Sequence, residues 1–341
     1  MTNRPPPLVV IGASAGGIEA LRPIIAGLPA DFAAAVFVVV HLGAHKSQLP
    51  WLLEQIGSLP VVHPADGDAV RGGMIFVAPP DRHMIVRSGK NGLTIGLTKG
   101  PRENWARPAI DPLFRSAAAS RGANVVGVIL SGGLNDGSAG LYQIKENGGV
   151  TIVQDPAEAI NPSMPRSALT HVAVDHCLPA AEIAPLLVDL AATMAAADIG
   201  TPVPATVARE EEVMTAYTSD QPIAVTCPDC GGALRRLQLG RLTQFRCHIG
   251  HVYTAEVMLA AQFLATEQSL GAAMRSLRER AELCRHMAQK TDIEPASASA
   301  WDIAMQEAFD QADTVRQLLE REWTLPDGSG VVESAGAATA F

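Results

Sequence analysis

The stretch LVVIGASAGGIEAL, from Leu8 to Leu21, joins an apolar run to a turn of small residues and then to a helical pattern. A buried strand that passes through glycines into a helix is typical of α/β proteins. Such a turn suits two kinds of site, because a helix N-terminus can bind a phosphate and a sharp glycine turn can present a serine nucleophile. The residues around Ser14 must decide between them.

The first part of the chain alternates apolar runs with helical patterns, which predicts a doubly wound α/β fold with a mostly parallel sheet. The runs are continuous, as expected for strands covered on both faces. The predicted strands are Leu8–Ile11, Ala35–Val40, Met74–Ala78, Val125–Leu130 and Val150–Val153. Ile85–Leu97, interrupted by Gly89 to Gly92, predicts an antiparallel hairpin added to this sheet.

Composition predicts five segments along the chain. Residues 1–190 form the α/β domain, 191–222 a linker, 223–256 a module resembling a zinc ribbon, 257–324 a helical hairpin, and 325–341 a disordered tail. The net charge of -9 argues against nucleic acid and anionic membranes as partners. Because there is neither a signal peptide nor a run of about 18 uncharged apolar residues, we expect a cytoplasmic protein.

A dinucleotide site is the weaker interpretation of the first turn. Gly12, Ser14 and Gly17 hold the spacing of the dinucleotide fingerprint, but Ser14 stands where a glycine lets the backbone approach the pyrophosphate. The second strand ends in His41 rather than in the carboxylate that would bind the ribose hydroxyls. The pattern therefore disfavours a nucleotide-binding site.

The nucleophile interpretation uses the same residues better, since Gly12, Ser14 and Gly16 form the pattern G-x-S-x-G. Serine needs a base, and His41 closes the second strand. A third strand breaks into a glycine-rich loop that carries Asp136. Carboxyl ends of parallel strands share one edge of a sheet, so we expect nucleophile, base and orienting acid to meet there.

Each of these residues also has a purely structural interpretation. Ser14 could cap the helix that begins near Gly17, His41 could be a packed histidine at a strand end, and Asp136 could be an ordinary turn residue. Asp111 is predicted to cap a helix that begins at Pro112. The sequence favours catalysis because Ser14, His41 and Asp136 are expected at the same edge.

Several separated blocks resemble the catalytic domain of the CheB protein-glutamate methylesterases of bacterial chemotaxis. Besides IGASAGG and His41, they are FVAPPDRHM (76–84), RPAIDPLFRSAA (107–118), GVILSGGLNDGSAGL (127–141) and MPRSAL (164–169). The resemblance implies a serine carboxylic-ester hydrolase that needs no cofactor for catalysis. In it Ser14, His41 and Asp136 would hydrolyse glutamate methyl esters on cytoplasmic helices of methyl-accepting chemoreceptors, and related enzymes deamidate glutamines there.

We assign the substrate and oxyanion site to Ala15, Gly16, Gly133 and Arg166. Ala15 replaces the threonine usual in the family, and Gly133 stands where a methionine linked to oxyanion stabilisation usually lies. These departures keep open an alternative, a non-catalytic adaptor that retains the fold and binds a receptor or signalling partner through its zinc module. Arg166 is expected either to contact an acidic receptor surface or to form a structural ion pair.

Because the chain begins at the catalytic strand, we expect no receiver domain in cis.

The motif CPDCGG (227–232) is followed by FRCHIGH (245–251), a spacing that predicts a closed tetrahedral zinc site. The predicted ligands are Cys227, Cys230, Cys247 and His251, with His248 as the alternative fourth ligand. Free or redox-active cysteines are the other interpretation. A similar ribbon follows the esterase domain in some relatives that lack a receiver, which favours a structural zinc.

Two apolar seams with helical spacing follow the cysteine motifs. The first contains Phe263, Leu270, Met274, Leu277, Ala281, Cys284 and Ala288, and the second contains Trp301, Met305, Ala308, Ala312, Val315 and Leu319. Seams of this kind predict two helices that bury each other in an antiparallel hairpin. A homodimer or a docked receptor helix at these seams is the alternative.

Overall fold

The computed structural model describes residues 5–41, 47–89, 92–197, 221–290 and 294–321. The chain forms two compact units, one that ends at Val257 and one that begins at Met258. The predicted tail, 325–341, and most of the predicted linker lie outside the described residues. The described start of the linker is helical, because the helix that precedes it continues to Ala196.

The first unit is built on a seven-stranded parallel sheet in the order β3-β4-β2-β1-β7-β8-β9. Successive residues of β1 point to opposite faces, so Leu8 joins one hydrophobic core and Val9 the other. This arrangement explains why the strands read as continuous apolar runs. The strands are β1 (Leu8–Ala13), β2 (Ala35–Val40), β3 (Val61–Val62), β4 (Ile75–Val77), β7 (Val125–Ile129), β8 (Val150–Gln154) and β9 (His176–Leu178).

Helices cover both faces of the sheet, which confirms the predicted doubly wound fold. One core lies beneath α1 and α6, and the other beneath α3 and α4. The helices are α1 (Gly17–Gly27), α2 (Leu49–Glu54), α3 (Ile110–Arg121), α4 (Ser138–Glu146), α5 (Ser163–His171) and α6 (Ala180–Ala196). Strands β1, β2 and β7 are neighbours at the centre of the sheet, so the loops that follow them lie side by side.

The predicted antiparallel hairpin exists as β5 (His83–Gly89) and β6 (Gly92–Thr98), but it forms a separate two-stranded sheet. The predicted hairpin is confirmed, and it does not pair with a strand of the main sheet. The edges of the main sheet are β3 and β9, and the two hairpin strands pair with each other. The hairpin instead packs on α3, where Ser116 Oγ accepts the backbone N–H of Val86 at 3.0 Å.

Residues 221–254 form the β10–β13 module, a four-stranded antiparallel sheet inside the first compact unit. Its strands are β10 (Gln221–Thr226), β11 (Ala233–Leu239), β12 (Leu242–Cys247) and β13 (Val252–Thr254). Leu239 and Leu242, at the turn between β11 and β12, pack against Ala139 and Tyr142 of α4. The module therefore shares a small apolar cluster with the α/β domain.

The C-terminal helices are α7 (Ala255–Ala288) and α8 (Pro295–Leu319), the predicted helical hairpin. Every residue of both predicted seams is buried or half-buried, whereas most of their neighbours are exposed. The seams are most deeply buried at small residues: Ala281, Cys284, Ala308 and Ala312. Among the described helices of the chain, none is long and apolar enough to cross a membrane.

Candidate functional site

The sheet topology brings three of the predicted site residues to one edge. Ser14 follows β1 and His41 follows the adjacent strand β2, with Ala13 level with Val40. The backbone N–H of His41 donates to the carbonyl of Ala13 at 3.1 Å. Asp136 lies in the loop after β7, which pairs with the opposite side of β1. Ser14 is therefore at the central strand end, between the loops that carry the histidine and the aspartate.

The side chains of His41 and Asp136 form a direct hydrogen bond. His41 Nε2 lies 2.9 Å from Asp136 Oδ2, and the two side chains are only 16% and 3% exposed. A carboxylate can only accept, so His41 carries its proton on Nε2 in the neutral tautomer. Nδ1 is then the ring nitrogen that remains free to accept a proton.

Asp136 is surrounded by donors. Oδ2 also accepts the backbone N–H of Ile110 at 2.6 Å, and Oδ1 accepts Asn104 Nδ2 at 3.0 Å. Burial alone would raise the pKa of Asp136, but the hydrogen bonds from His41, Ile110 and Asn104 outweigh it and hold the pKa below its ordinary value. This carboxyl group is therefore ionised at neutral pH.

Asp111 does not cap α3, so that prediction is wrong. The helix begins at Ile110, one residue before Asp111, so Asp111 lies inside its first turn. The backbone N–H groups of Ile110 and Asp111 donate to the carboxylate of Asp136. Asp111 is completely buried and accepts the backbone N–H of Gly140 at 2.7 Å. Burial, together with the charge of Asp136, raises its pKa well above the ordinary value.

The turn at Ser14 has the geometry of a sharp strand-to-helix connection. Gly16 is the N-cap of α1 at φ 75°, and α1 has no side-chain cap. Ser14 therefore does not cap this helix. Its backbone holds the turn, since its N–H donates to Ser131 O and its carbonyl accepts Gly17 N–H, both at 2.9 Å. The hydroxyl is thus not used to hold the helix.

The glycine loop lies directly against Ser14. A Cβ on Gly132 would come within 2.0 Å of Met164 Sδ and 2.9 Å of Ser14 Cβ, so only glycine fits there. At Gly133 the nearest atom would be Asn161 Nδ2 at 3.4 Å, an ordinary contact. Space alone therefore requires glycine at position 132 and not at 133.

The remaining residues of the predicted oxyanion and substrate site are more open. Ala15 is exposed, and its carbonyl accepts Ser131 Oγ at 2.7 Å. Arg166 is exposed on α5. Because Ala15 and Gly16 lie at the N-terminus of α1, their backbone amides belong to the positive end of that helix dipole.

The four predicted metal ligands converge in the β10–β13 module. The ligand atoms of Cys227, Cys230, Cys247 and His251 all lie within 4.8 Å of one another. Cys230 Sγ and Cys247 Sγ are 3.7 Å apart, close to the edge of about 3.8 Å expected for a zinc tetrahedron with Zn–S bonds of about 2.3 Å. His251 Nδ1 lies 3.4 Å from Cys247 Sγ and 3.6 Å from Cys227 Sγ.

Two glycine turns shape this cluster. Gly231 donates its backbone N–H to the carbonyl of Cys227 at 2.8 Å, and Gly250 donates to Cys247 at 3.0 Å. Both glycines have positive φ, 70° and 106°, which other residues adopt at a cost. His248, the alternative ligand, is outside the group and lies beside Gly232. The thiolate and imidazole donors suit zinc.

Sequence reasoning missed Asn104, Asn135 and Thr254, which contact the site from other parts of the fold. Asn104 donates to Asp136, and Asn135 accepts a hydrogen bond from Thr254 Oγ1 at 2.6 Å. Only Thr254 had a local signal, since it directly precedes a helical pattern as a capping residue does.

Comparisons with known proteins agree with this geometry. The family model described as CheB methylesterase matches residues 9–187. A protein of Leptospira interrogans is 39% identical over 184 residues, which cover 53% of this chain and 93% of that protein. "Protein-glutamate methylesterase/protein-glutamine glutaminase 5" of Anaeromyxobacter dehalogenans is 40% identical over 184 residues, 54% of this chain but only 51% of that longer protein.

A solved structure leads to the same family. The crystal structure of the Thermotoga maritima CheB methylesterase catalytic domain is 32% identical, with a TM-score of 0.53, and the match covers 55% of this chain and 100% of that domain. The resemblance predicted from the sequence blocks is confirmed, since the family model covers more than half of the chain. On the evidence of its sheet, its strand-end residues and these matches, the chain belongs to the CheB methylesterase family.

Proposed function

We propose that the protein hydrolyses glutamate methyl esters on the cytoplasmic helices of chemoreceptors. The observation that carries the proposal is the 2.9 Å hydrogen bond between His41 Nε2 and Asp136 Oδ2 at the end of the strand beside Ser14. The name of the Anaeromyxobacter relative, a protein-glutamate methylesterase, supports glutamate methyl esters as the substrate class. An acidic surface on the receptor is the proposed partner of the exposed Arg166.

In the proposed mechanism Ser14 Oγ attacks the ester carbonyl while His41 Nδ1 takes its proton. The ionised Asp136 holds the histidine tautomer and stabilises the imidazolium that forms. The backbone amides at Ala15, Gly16 and Gly133 are the proposed donors to the oxyanion. As the ester C–O bond breaks, the His41 imidazolium protonates the leaving methoxide oxygen, which departs as methanol. His41 then takes a proton from water, which attacks the acyl-enzyme, and returns that proton to Ser14 Oγ as the free carboxyl group of the glutamate is released.

The same residues suit deamidation of glutamine, the second activity in the relative's name. An amide gives the same acyl-enzyme, and His41 would protonate the leaving amide nitrogen, which departs as ammonia in place of methanol. Both reactions require a proton donor near the leaving group, and the proposed role of His41 supplies it.

We also propose that Cys227, Cys230, Cys247 and His251 hold a structural zinc ion. Three thiolates and one imidazole fill a tetrahedral site, so no ligand position remains for a substrate. When bound, the metal would fix the two turns that carry its ligands, and no step of the hydrolysis uses it. The homodimer through the C-terminal helices and the cytoplasmic location stay predictions.

The test of the proposed function is methanol release from a methylated chemoreceptor cytoplasmic fragment. Ser14→Ala should lower the rate by at least about 10³-fold, because without the nucleophile only binding and oxyanion stabilisation remain. Ser58→Ala, at an exposed serine, is the matched control and should retain the rate. Receptor binding without methanol release from the unmutated chain would instead support the adaptor alternative.

A further inference from the structure

One buried side chain connects the β10–β13 module with the acid of the proposed triad. Asn104 is 5% exposed, and its two side-chain N–H groups donate to Asp136 Oδ1 at 3.0 Å and to Asp111 Oδ2 at 3.1 Å. Its Oδ1 accepts the backbone N–H of Thr254, in β13, at 3.1 Å. If the amide were rotated by 180°, its oxygen would face the carboxyl groups of Asp136 and Asp111, and its NH2 group would face the N–H of Thr254. These three partners therefore fix the orientation of the amide.

The backbone of the same residue is also held by β13. The N–H of Asn104 donates to the carbonyl of Val252 at 2.8 Å, and Glu103 forms a bridge with Val252. On the other side, Arg115 of α3 makes a two-pronged ion pair with Glu103 at 2.7 and 3.1 Å. Asn104 is thereby fixed between β13 and α3 through both its backbone and its side chain.

The local backbone would not take this shape unaided. Asn104 and Trp105 have φ values of 49° and 64°, in the left-handed region that non-glycine residues seldom adopt. Such a conformation persists only where the surroundings hold it. The contacts of Val252 and Thr254 with Asn104 are among those that hold it here.

A second connection runs from β13 to the residue next to Asp136. Thr254, which is fully buried, donates from Oγ1 to Asn135 Oδ1 at 2.6 Å. Asn135 Nδ2 in turn donates to Glu256 Oε2 at 2.5 Å. The loop that carries Asp136 is therefore tied to both ends of the short segment 254–256.

The proposed metal ligands fix the start of β13. His251 directly precedes Val252, and its carbonyl accepts the backbone N–H of Cys247 at 3.1 Å. The hydroxyl of Tyr253 lies 3.3 Å from Cys227 Sγ. Thus β13 directly follows the proposed ligand His251, and its residues Val252 and Thr254 form the hydrogen bonds with Asn104 and Asn135.

We infer that Asn104 is a positioning residue for the proposed hydrolysis, and that the β10–β13 module, held by its metal ligands, keeps Asn104 against Asp136. This inference rests on the proposed function. Without the module, Asn104 loses both its backbone and its side-chain contacts with β13 and can turn away from Asp136. Asp136 then loses one hydrogen-bond donor, and the carboxylate that holds His41 is less firmly positioned, although neither Asp136 nor His41 belongs to the module.

The test separates positioning from receptor recruitment by using a small ester, p-nitrophenyl acetate, on the full-length chain. Asn104→Ala and removal of the metal by a chelator should each lower kcat about ten- to hundredfold with little change in KM. Metal removal should cost less in Asn104→Ala than in the unmutated chain, because the part of its effect that passes through Asn104 is already lost there, whereas the contact of Thr254 with Asn135 remains to be disturbed. Asn147→Ala, at an exposed asparagine, is the matched control.

A small-ester kcat that survives metal removal would overturn the inference, because the module would then serve only recruitment. The inference would also be overturned if the loss of kcat in metal-free Asn104→Ala equalled the product of the two separate losses, because the two changes would then act independently. Should Asn104→Ala fail to fold, as shown by its circular dichroism, metal removal from the unmutated chain still decides.

A second readout does not depend on turnover. The low-field proton resonance of His41 Nε2–H reports its hydrogen bond to Asp136, and it should broaden or disappear on metal removal and in Asn104→Ala. If the unmutated chain hydrolyses no ester, or Ser14→Ala retains its rate, the proposed function fails. The resonance then still decides the inference, because an unchanged signal in both forms shows that Asn104 does not hold the pair.

Discussion

Asp136 accepts the backbone N–H of Ile110, the first residue of α3, at 2.6 Å. A carboxylate from the loop after β7 thereby caps a helix whose preceding residue, Ala109, offers no side-chain cap. The same oxygen accepts His41 Nε2. The helix N-terminus and the histidine both favour the charged form of this acid, so one carboxylate joins the helix end to the proposed base.

Asp136→Asn should lower kcat by about 10⁴-fold while the protein stays folded, because an amide cannot accept at both of its terminal atoms and favours the wrong histidine tautomer. The rates are measured with the methylated receptor fragment and with p-nitrophenyl acetate. Asp31→Asn, at an exposed aspartate, is the control for removal of a carboxyl group. A loss smaller than about tenfold would contradict the role assigned to Asp136.

Asp111→Asn should change how stability depends on pH. Because the pKa of Asp111 is raised in the folded protein, its proton stabilises the fold fully below the unfolded pKa of about 4, and this contribution is lost as pH rises through the folded pKa. Asparagine does not titrate, so the free energy of unfolding of the variant should improve relative to the unmutated chain from about pH 4 upward. Urea unfolding at several pH values measures this difference. A difference that is independent of pH would show that Asp111 does not carry a raised pKa.

Gly132→Ala should impair both folding and hydrolysis more than Gly133→Ala. Met164 is flexible and can move away from a new Cβ, but Ser14 Cβ, 2.9 Å from it, belongs to the rigid turn. We expect a destabilisation of about 1–3 kcal/mol from overpacking and a clear loss of kcat for Gly132→Ala. Thermal unfolding and small-ester kinetics of the two variants provide the comparison. Equal effects would indicate that the loop does not pack on Ser14 in this way.

The metal content of purified variants should identify the fourth ligand. The unmutated chain and His248→Ala should each bind one zinc ion per chain, whereas His251→Ala and Cys247→Ser should bind it weakly or not at all. Cys177→Ser, at an exposed cysteine outside the cluster, is the control. Elemental analysis after dialysis gives the stoichiometry. Zinc lost from His248→Ala and retained by His251→Ala would reverse the assignment.

The strand ends could be predicted from the sequence because buried parallel strands read as continuous apolar runs, and their carboxyl ends must share an edge. Ser14 and His41 directly follow such runs, and Asp136 lies in the loop after another. The cysteine spacing and the two helical seams were equally local signals. The position of the β5–β6 hairpin could not be predicted in this way, because a strand pattern does not show which element the strand packs against, and here the hairpin packs on α3.

The sequence by itself determined the α/β fold, the edge where the candidate site lies, the four clustered ligands and the buried faces of the C-terminal helices. These features depend on spacing within a segment, which short-range geometry translates directly into structure. Only the tertiary structure decided that Asp136 caps α3, that Asp111 is buried beside it, and that Asn104 connects both to Thr254. The last of these bonds joins residues 150 positions apart, and no local pattern predicts it because it exists only once the β10–β13 module packs against the α/β domain.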